Sequence, residues 1–379
     1  MAASIAVSRP RALPWHIVAV LFAATSVIVG VIWDISWHRT IGRDTFWTPA
    51  HLAIYLGGIV AGLACGWLVL RTTFAGRPEQ RAAGVRFWGF RGPLGAWVCI
   101  WGAIAMITSA PFDDWWHNAY GLDVRVLSPP HVLLALGFTG IQLGTLLMLA
   151  ARQHGDDRDS GLPRWLFAVA AGLLITNLSV MGFEYIGFAN HAHGTLYYKV
   201  AAGAFPLLLV ATARASRLQW PATTAAAVYM LITVLMVWIL QLFPARPLLA
   251  PIYNPVDHMV PPPFPMLLVV PAVAIDLLVR RGPPSDWAKA TLIGIGFVAL
   301  LLAVQWTFAT FLISPKSETF LFGVQRWDYN NRPGPWHNQF WNQRDDPFSF
   351  AGAVIAVAIG AASARIGLWW GNWMGRVRR

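Results

Sequence analysis

The chain has 379 residues, of which 56% are hydrophobic and only 12% charged, with 21 tryptophans. A soluble domain carries about a quarter of its residues as charges, so this composition excludes an ordinary globular protein and points to a membrane one. The formal net charge of +11 is not a nucleic-acid signal, because the arginines punctuate apolar segments and form no patch with a binding motif.

Apolar stretches of about 20 residues recur along the whole sequence. The first, Trp15 to Trp33, is too long for a signal-peptide core and is read as a retained helix. Taken in order, the expected spans cover roughly 15–36, 49–71, 93–112, 130–151, 165–187, 195–214, 221–244, 263–280, 287–313 and 348–370. The fold class is therefore all-α, a polytopic transmembrane helix bundle of about ten spans. Residues 1–151 form a four-helix region with two related motifs, and residues 152–379 a further six-helix region with an outer loop, 314–347, capping the bundle.

The connections alternate in charge. One set holds Arg71, Arg77, Arg81 and Arg86, then Arg152, Arg158 and Arg164, then Arg214 and Arg217, then Arg280, Arg281 and Lys289. Short arginine-rich loops stay in the cytoplasm, which assigns both termini there. The other set carries His38, His51, His117, His131, His191, His193, His258 and His337, and leaves only His16 and His154 on the inner side. Cys65 and Cys99 each lie inside an apolar span with no CxxC, so no disulfide framework or thiolate zinc site is indicated.

Asp34 and His38 are four residues apart, which places them one turn apart on one helix face. His51 follows behind Thr48 and Pro49, residues suited to opening a helix. The pattern recurs: Asp113 and His117, then His131 behind Ser128, Pro129 and Pro130. Each copy has Trp before its first His (Trp37, Trp116) and Gly-x-Asp after it (Gly42 and Asp44; Gly121 and Asp123). Asp114 is an alternative to Asp113. Ionisable groups at this density in membrane spans are functional by default. Two imidazoles and one carboxylate with open positions suit copper, zinc or non-haem iron.

The other polar residues are weaker candidates. Glu184 ends the fifth expected span and is read as a supporting or proton-relay group, or as an interfacial residue. His191 and His193 form a His-x-His that chelates only if extended and is otherwise a solvated turn. Asp257-His258 reads as a turn, and Asp276 as the partner of Arg280 one turn on.

The segment Asp34-x-x-Trp37-His38-x-Thr40-Ile41-x-Arg43-Asp44-Thr45-x-Trp47-Thr48-Pro49-x-His51 resembles the signature of the C-type membrane subunit of the particulate methane and ammonia monooxygenases, the copper membrane monooxygenase family. The likeness covers about residues 15–150. It implies copper on Asp34, His38 and His51, the residues that would be catalytic, and a second metal on Asp113, His117 and His131, where Asp113 stands in place of the family's Asn. Zinc and iron rank behind copper. The resemblance also implies O2 activation to hydroxylate a small apolar substrate, partner subunits of a membrane complex, and a bacterial inner membrane with the metal site facing the periplasm. The lipid bilayer is the other expected partner; no nucleic acid is. A non-enzymatic copper-binding or transport protein is the alternative, and sparse Met and Cys count against it. A structural subunit that keeps the motif as a relic is the third. The arginine asymmetry itself predicts that the Gln80→Cys variant is labelled by a membrane-impermeant thiol reagent from the cytoplasmic side alone; labelling from the outside would reverse the sidedness.

Overall fold

The structure is a computed structural model in which residues 13–42, 44–121, 128–154, 161–248, 256–324 and 347–377 are described. Among them nine helices are long and apolar enough to cross a membrane: α1 (Trp15–Thr40), α2 (Pro49–Ala75), α4 (Leu94–Tyr120), α5 (Pro129–His154), α6 (Gly161–Met181), α8 (Thr195–Ala215), α9 (Pro221–Leu240), α11 (Asp286–Leu312) and α12 (Phe350–Met374). Shorter helices are α3 (Pro78–Ala83), α7 (Phe183–Ile186) and α10 (Val269–Arg281). The chain is an all-α, multi-pass membrane bundle. Most of the outer loop expected as a cap, including His337, lies outside the described residues.

The eighth expected span, 263–280, is not a full helix. Its helical part, α10, has 13 residues, and residues 256–267 before it form no helix. Four prolines in that stretch, Pro261, Pro262, Pro263 and Pro265, lack the N–H that a helix needs. Extended backbone at membrane depth is tolerated only where protein satisfies its polar groups. Here side chains of three neighbouring helices do so. Thr40 Oγ1 accepts from the Val260 N–H at 2.8 Å, and Ser36 Oγ donates to the Val260 carbonyl at 2.6 Å. The Tyr229 hydroxyl accepts from Met266 N–H and the Gln305 side-chain carbonyl from Leu267 N–H, both at 3.0 Å. The segment starts beside the C-terminal end of α9, where Pro244 and His258 form a bridge. It finishes beside that helix's start, where Asp276 accepts from Ala222 N–H, Thr223 N–H and the Thr223 hydroxyl at 2.8–3.1 Å. It thus crosses once, half extended and half helical. Asp276 caps α9, which has no side-chain cap of its own, in addition to its expected attraction to Arg280.

Two further departures matter. Helix α4 continues through Pro111 to Tyr120, so Asp113 and His117 stand on unbroken helix where the sequence suggested an end. The basic inner loop holds an antiparallel hairpin, β1 (Val85–Phe87) with β2 (Phe90–Gly92). Its turn residues Trp88 and Gly89 both have positive φ, 46° and 85°, which suits a two-residue hairpin loop.

Glycines bring the helices of each motif hairpin into backbone contact. A Cβ on Gly102 of α4 would lie 2.5 Å from the Gly137 carbonyl of α5, and one on Gly144 would lie 2.5 Å from the Gly95 carbonyl. Between α1 and α2, a Cβ on Gly57 would lie 2.8 Å from the Ala23 carbonyl, and one on Gly30 3.0 Å from that of Ala50. Small residues are how membrane helices gain close packing without a hydrophobic drive between them. One buried core then runs through both halves of the chain, from Ile17, Cys65 and Cys99 to Phe167, Phe205 and Phe297. Gln153 Nε2 donates to the Ala215 carbonyl, and Arg214 Nε to Asn372 Oδ1. The C-terminal ends of α5, α8 and α12 therefore gather at the pole opposite His131.

Gly102→Ala should lower the melting temperature of the purified protein. Overpacking against backbone costs roughly 1–3 kcal/mol, more than the gain in helix propensity of about 1 kcal/mol returns. Gly66→Ala, whose Cβ meets nothing within 4 Å, should leave it unchanged or raise it slightly.

Candidate metal centre

Helices α1 and α4 end, and α2 and α5 begin, around one cavity of about 290 Å³. Asp34, His38 and His51 line it on one side and Asp113, His117 and His131 on the other. The two sequence motifs are thus two walls of one chamber, whose apolar lining includes Ile54, Ala110 and Leu134.

Both walls are built alike. The first helix of each pair ends at a glycine with positive φ, Gly42 at 102° and Gly121 at 89°, which turns the chain away after the last His-bearing turn. Gly42 N–H and Gly121 N–H donate back to the carbonyls of Trp37 and His117. The second helix opens with proline, so the histidine near its start sits in the first turn. There the copies differ. Ser128 Oγ accepts from His131 N–H at 3.4 Å. Thr48, expected as a cap, makes no cap bond; its Oγ1 accepts from Thr45 N–H at 2.8 Å and folds the loop that carries Asp44.

In the second wall, His117 Nε2 and His131 Nε2 each lie 3.4 Å from the Asp113 carboxylate, one from each oxygen. The three ligand atoms are close enough to share one ion. His117 Nδ1 faces the Gly121 carbonyl at 3.3 Å. With a cation on Nε2, the Gly121 carbonyl is placed to accept the Nδ1 proton. Asp114 lines the cavity but is exposed and pairs with Asn118 at 3.4 Å, outside the cluster.

In the first wall a fourth group joins. Asp44 Oδ2 lies 2.8 Å from His51 Nε2 and 3.4 Å from His38 Nε2. Asp34 lies 3.2 Å from His51 Nε2 and 3.7 Å from His38 Nε2. Burial opposes the charge on Asp44, but hydrogen bonds from His38 and His51 outweigh it and hold the carboxyl well below the usual carboxylate range. The repeated Gly-x-Asp contained this residue, and only its position after a loop kept spacing from assigning it. Its counterpart Asp123 lies outside the described residues.

The donor set fits a cation. Asp34 Oδ1 and Asp113 Oδ1 are buried and lack a hydrogen bond of sound geometry, although imidazole nitrogens stand 3.2 and 3.4 Å away. Buried carboxylate oxygens aimed at ligand nitrogens without bonding them are costly unless something positive completes the site.

The remaining candidates lie outside the cavity. His191 and His193 fall in a 3-10 turn, Ala189–His193, and point to different neighbours. His193 Nε2 reaches Thr310 Oγ1 at 3.0 Å and sits edge-on to Trp306, while His191 stands against Phe188. Glu184 is on α7, near Arg39, whose guanidinium lies 4.4 Å over the Phe183 ring. Asp257 and His258 pair at 2.9 Å within their turn. Cys65 and Cys99, which the sequence places on separate spans, are neighbours between α2 and α4, each buried and free of a disulfide.

Compared with family models, with curated proteins and with solved structures, the chain matches none.

Burial pushes the Glu184 carboxyl up to about 8, against the pull of Arg39. The folded chain then keeps a proton that the unfolded chain releases near 4.5, so stability falls as pH rises through that window and levels off above about 8. Glu184→Gln should flatten the decline in melting temperature between pH 5 and about 8. Equal slopes in parent and variant would refute the assignment.

Proposed function

We propose that this chain is the metal-bearing subunit of a copper-dependent membrane monooxygenase that activates O2 to hydroxylate a small apolar substrate. The observation that carries the reading is the convergence of two Asp-x3-His-plus-His sets on one cavity at one pole of a membrane bundle. Asp34, His38 and His51 would hold one ion and Asp113, His117 and His131 another. Copper there would supply one-electron chemistry toward dioxygen.

The chain's own groups have definable tasks. The carboxylates offset a cation's charge in a low-dielectric setting, and the imidazoles supply nitrogen donors whose tautomer, at His117, is set by the Gly121 carbonyl. Tyr55 lines the cavity one turn beyond His51, with their rings 5.9 Å apart, and its hydroxyl serves as a proton donor to a ligand in the chamber. Ile54, Ala110, Leu134 and Phe46 give an apolar lining suited to a small hydrocarbon-like substrate entering from the bilayer. The cavity has neither Met nor Cys in its wall, which disfavours a Cu(I) carrier, since soft ligands select that ion. The arginine distribution supports a chamber on the non-cytoplasmic face; in this reading that face is the periplasmic side of a bacterial inner membrane, where partner subunits would complete the complex.

Removing a ligand tests this. His38→Ala should lose about one copper per chain and the associated oxidation activity while the bundle stays folded, because membrane helices keep their internal backbone bonds. His154→Ala, at the opposite pole, should change neither. Equal copper in the His38 variant and the parent would sink the reading.

A further inference from the structure

We infer that Asp44 is a fourth protein ligand of the first centre, and that it closes a ring of two carboxylates and two imidazoles around one divalent ion. The inference rests on the proposal that a cation binds at Asp34, His38 and His51.

The geometry is an alternation. Each imidazole Nε2 stands beside both carboxylates, and each carboxylate beside both imidazoles. Asp44 Oδ2 lies 2.8 Å from His51 Nε2 and 3.4 Å from His38 Nε2, while Asp34 reaches His51 with Oδ1 at 3.2 Å and His38 with Oδ2 at 3.7 Å. Adjacent donors on a four-coordinate ion with bonds of about 2.0 Å are about 2.8 Å apart in a square and about 3.3 Å apart in a tetrahedron. The two distances at Asp44 Oδ2, 2.8 and 3.4 Å, fall close to those two values. Asp34, His38 and Asp44 offer donor atoms within 4.8 Å of one another, and His51, beside both carboxylates, completes an N2O2 set of the kind Cu(II) accepts.

Charge points the same way. With Asp34 alone, a divalent ion and two neutral imidazoles would leave one net positive charge at the end of a membrane helix. Asp44 brings the first centre to neutrality, which a poorly solvated site requires. The loop is built to deliver it: Gly42 turns the chain out of α1 with a positive φ, and the Thr45 N–H to Thr48 Oγ1 bond folds it back so that Asp44 returns over His51. Asp34 Oδ1, buried and without a sound hydrogen bond, is the second sign that a positive partner belongs inside the ring. The second wall supplies three donors from the described residues, so the two centres differ in how much of the ion the protein covers.

A closed ring leaves no equatorial place for water. The experiment uses the full chain in lipid nanodiscs with the second centre removed by His131→Ala and loaded with Cu(II) alone. Pulsed paramagnetic resonance in deuterated water should then show two nitrogen couplings and no strongly coupled exchangeable deuteron. Adding Asp44→Ala should make that deuteron appear, as water takes the vacated position, and should weaken Cu(II) binding at least about tenfold. Asp44→Glu should restore the parent signal at least in part. A strongly coupled deuteron already present with Asp44 intact, or a spectrum and affinity unchanged by Asp44→Ala, would overturn the fourth ligand while leaving a metal at Asp34, His38 and His51. A chain that binds no Cu(II) with Asp44 intact would overturn both this inference and the proposed function.

Discussion

Backbone contact at a few glycines is the constraint on which the rest of the molecule depends. Gly102 against Gly137, Gly144 against Gly95 and Gly57 against Ala23 let two helix hairpins close until carbonyls touch where side chains would otherwise stand. Without that approach, a histidine at the start of one helix would not reach a carboxylate near the end of its neighbour. The distances of 2.8–3.7 Å between imidazoles and carboxylates at the histidine-bearing pole follow from contacts made in the middle of the bundle.

The same economy governs the one crossing that is not a full helix. Proline-rich chain at membrane depth must borrow donors and acceptors, and it takes them from Ser36, Thr40, Tyr229 and Gln305. The three helices that carry these residues belong to different parts of the sequence, so the extended segment binds the motif-bearing helices to the rest of the bundle. This is why a single core runs through both halves of the chain, and why the first 151 residues are not a separable body.

Hydropathy made the long helices legible because a run of about 20 apolar residues has few other uses. It was blind to the break at residues 256–267, since prolines among apolar residues barely lower mean hydropathy although they remove the helix. It also misplaced the end of α4, because Pro111 and two aspartates look like a stop, while the helix accommodates the proline and carries Asp113 onward. The two ligand sets were legible because i,i+4 spacing is a statement about a helix face. That they share a chamber follows from two successive hairpins of like pattern packing side by side. Asp44 was visible as part of a repeat but not as a neighbour of His38 and His51, because a loop residue's reach depends on a turn, here at Gly42 and Thr48, that spacing does not encode. Glu184, His191 and His193 gathered attention by residue type alone, and type says nothing about the direction in which a side chain leaves its turn.

The bonds that Ser36 and Thr40 make to Val260 have a consequence beyond holding a stray segment. These two residues lie on the face of α1 opposite Asp34 and His38, two positions away in each case. The last turn of the helix is therefore gripped from behind, and its azimuth about its own axis is set before anything enters the chamber. An ion arriving there meets donors that have already surrendered their freedom, and ordering a mobile side chain on binding costs about 0.5–1.5 kcal/mol each. That entropy was lost when the chain folded, through two hydroxyl groups that never touch the ion.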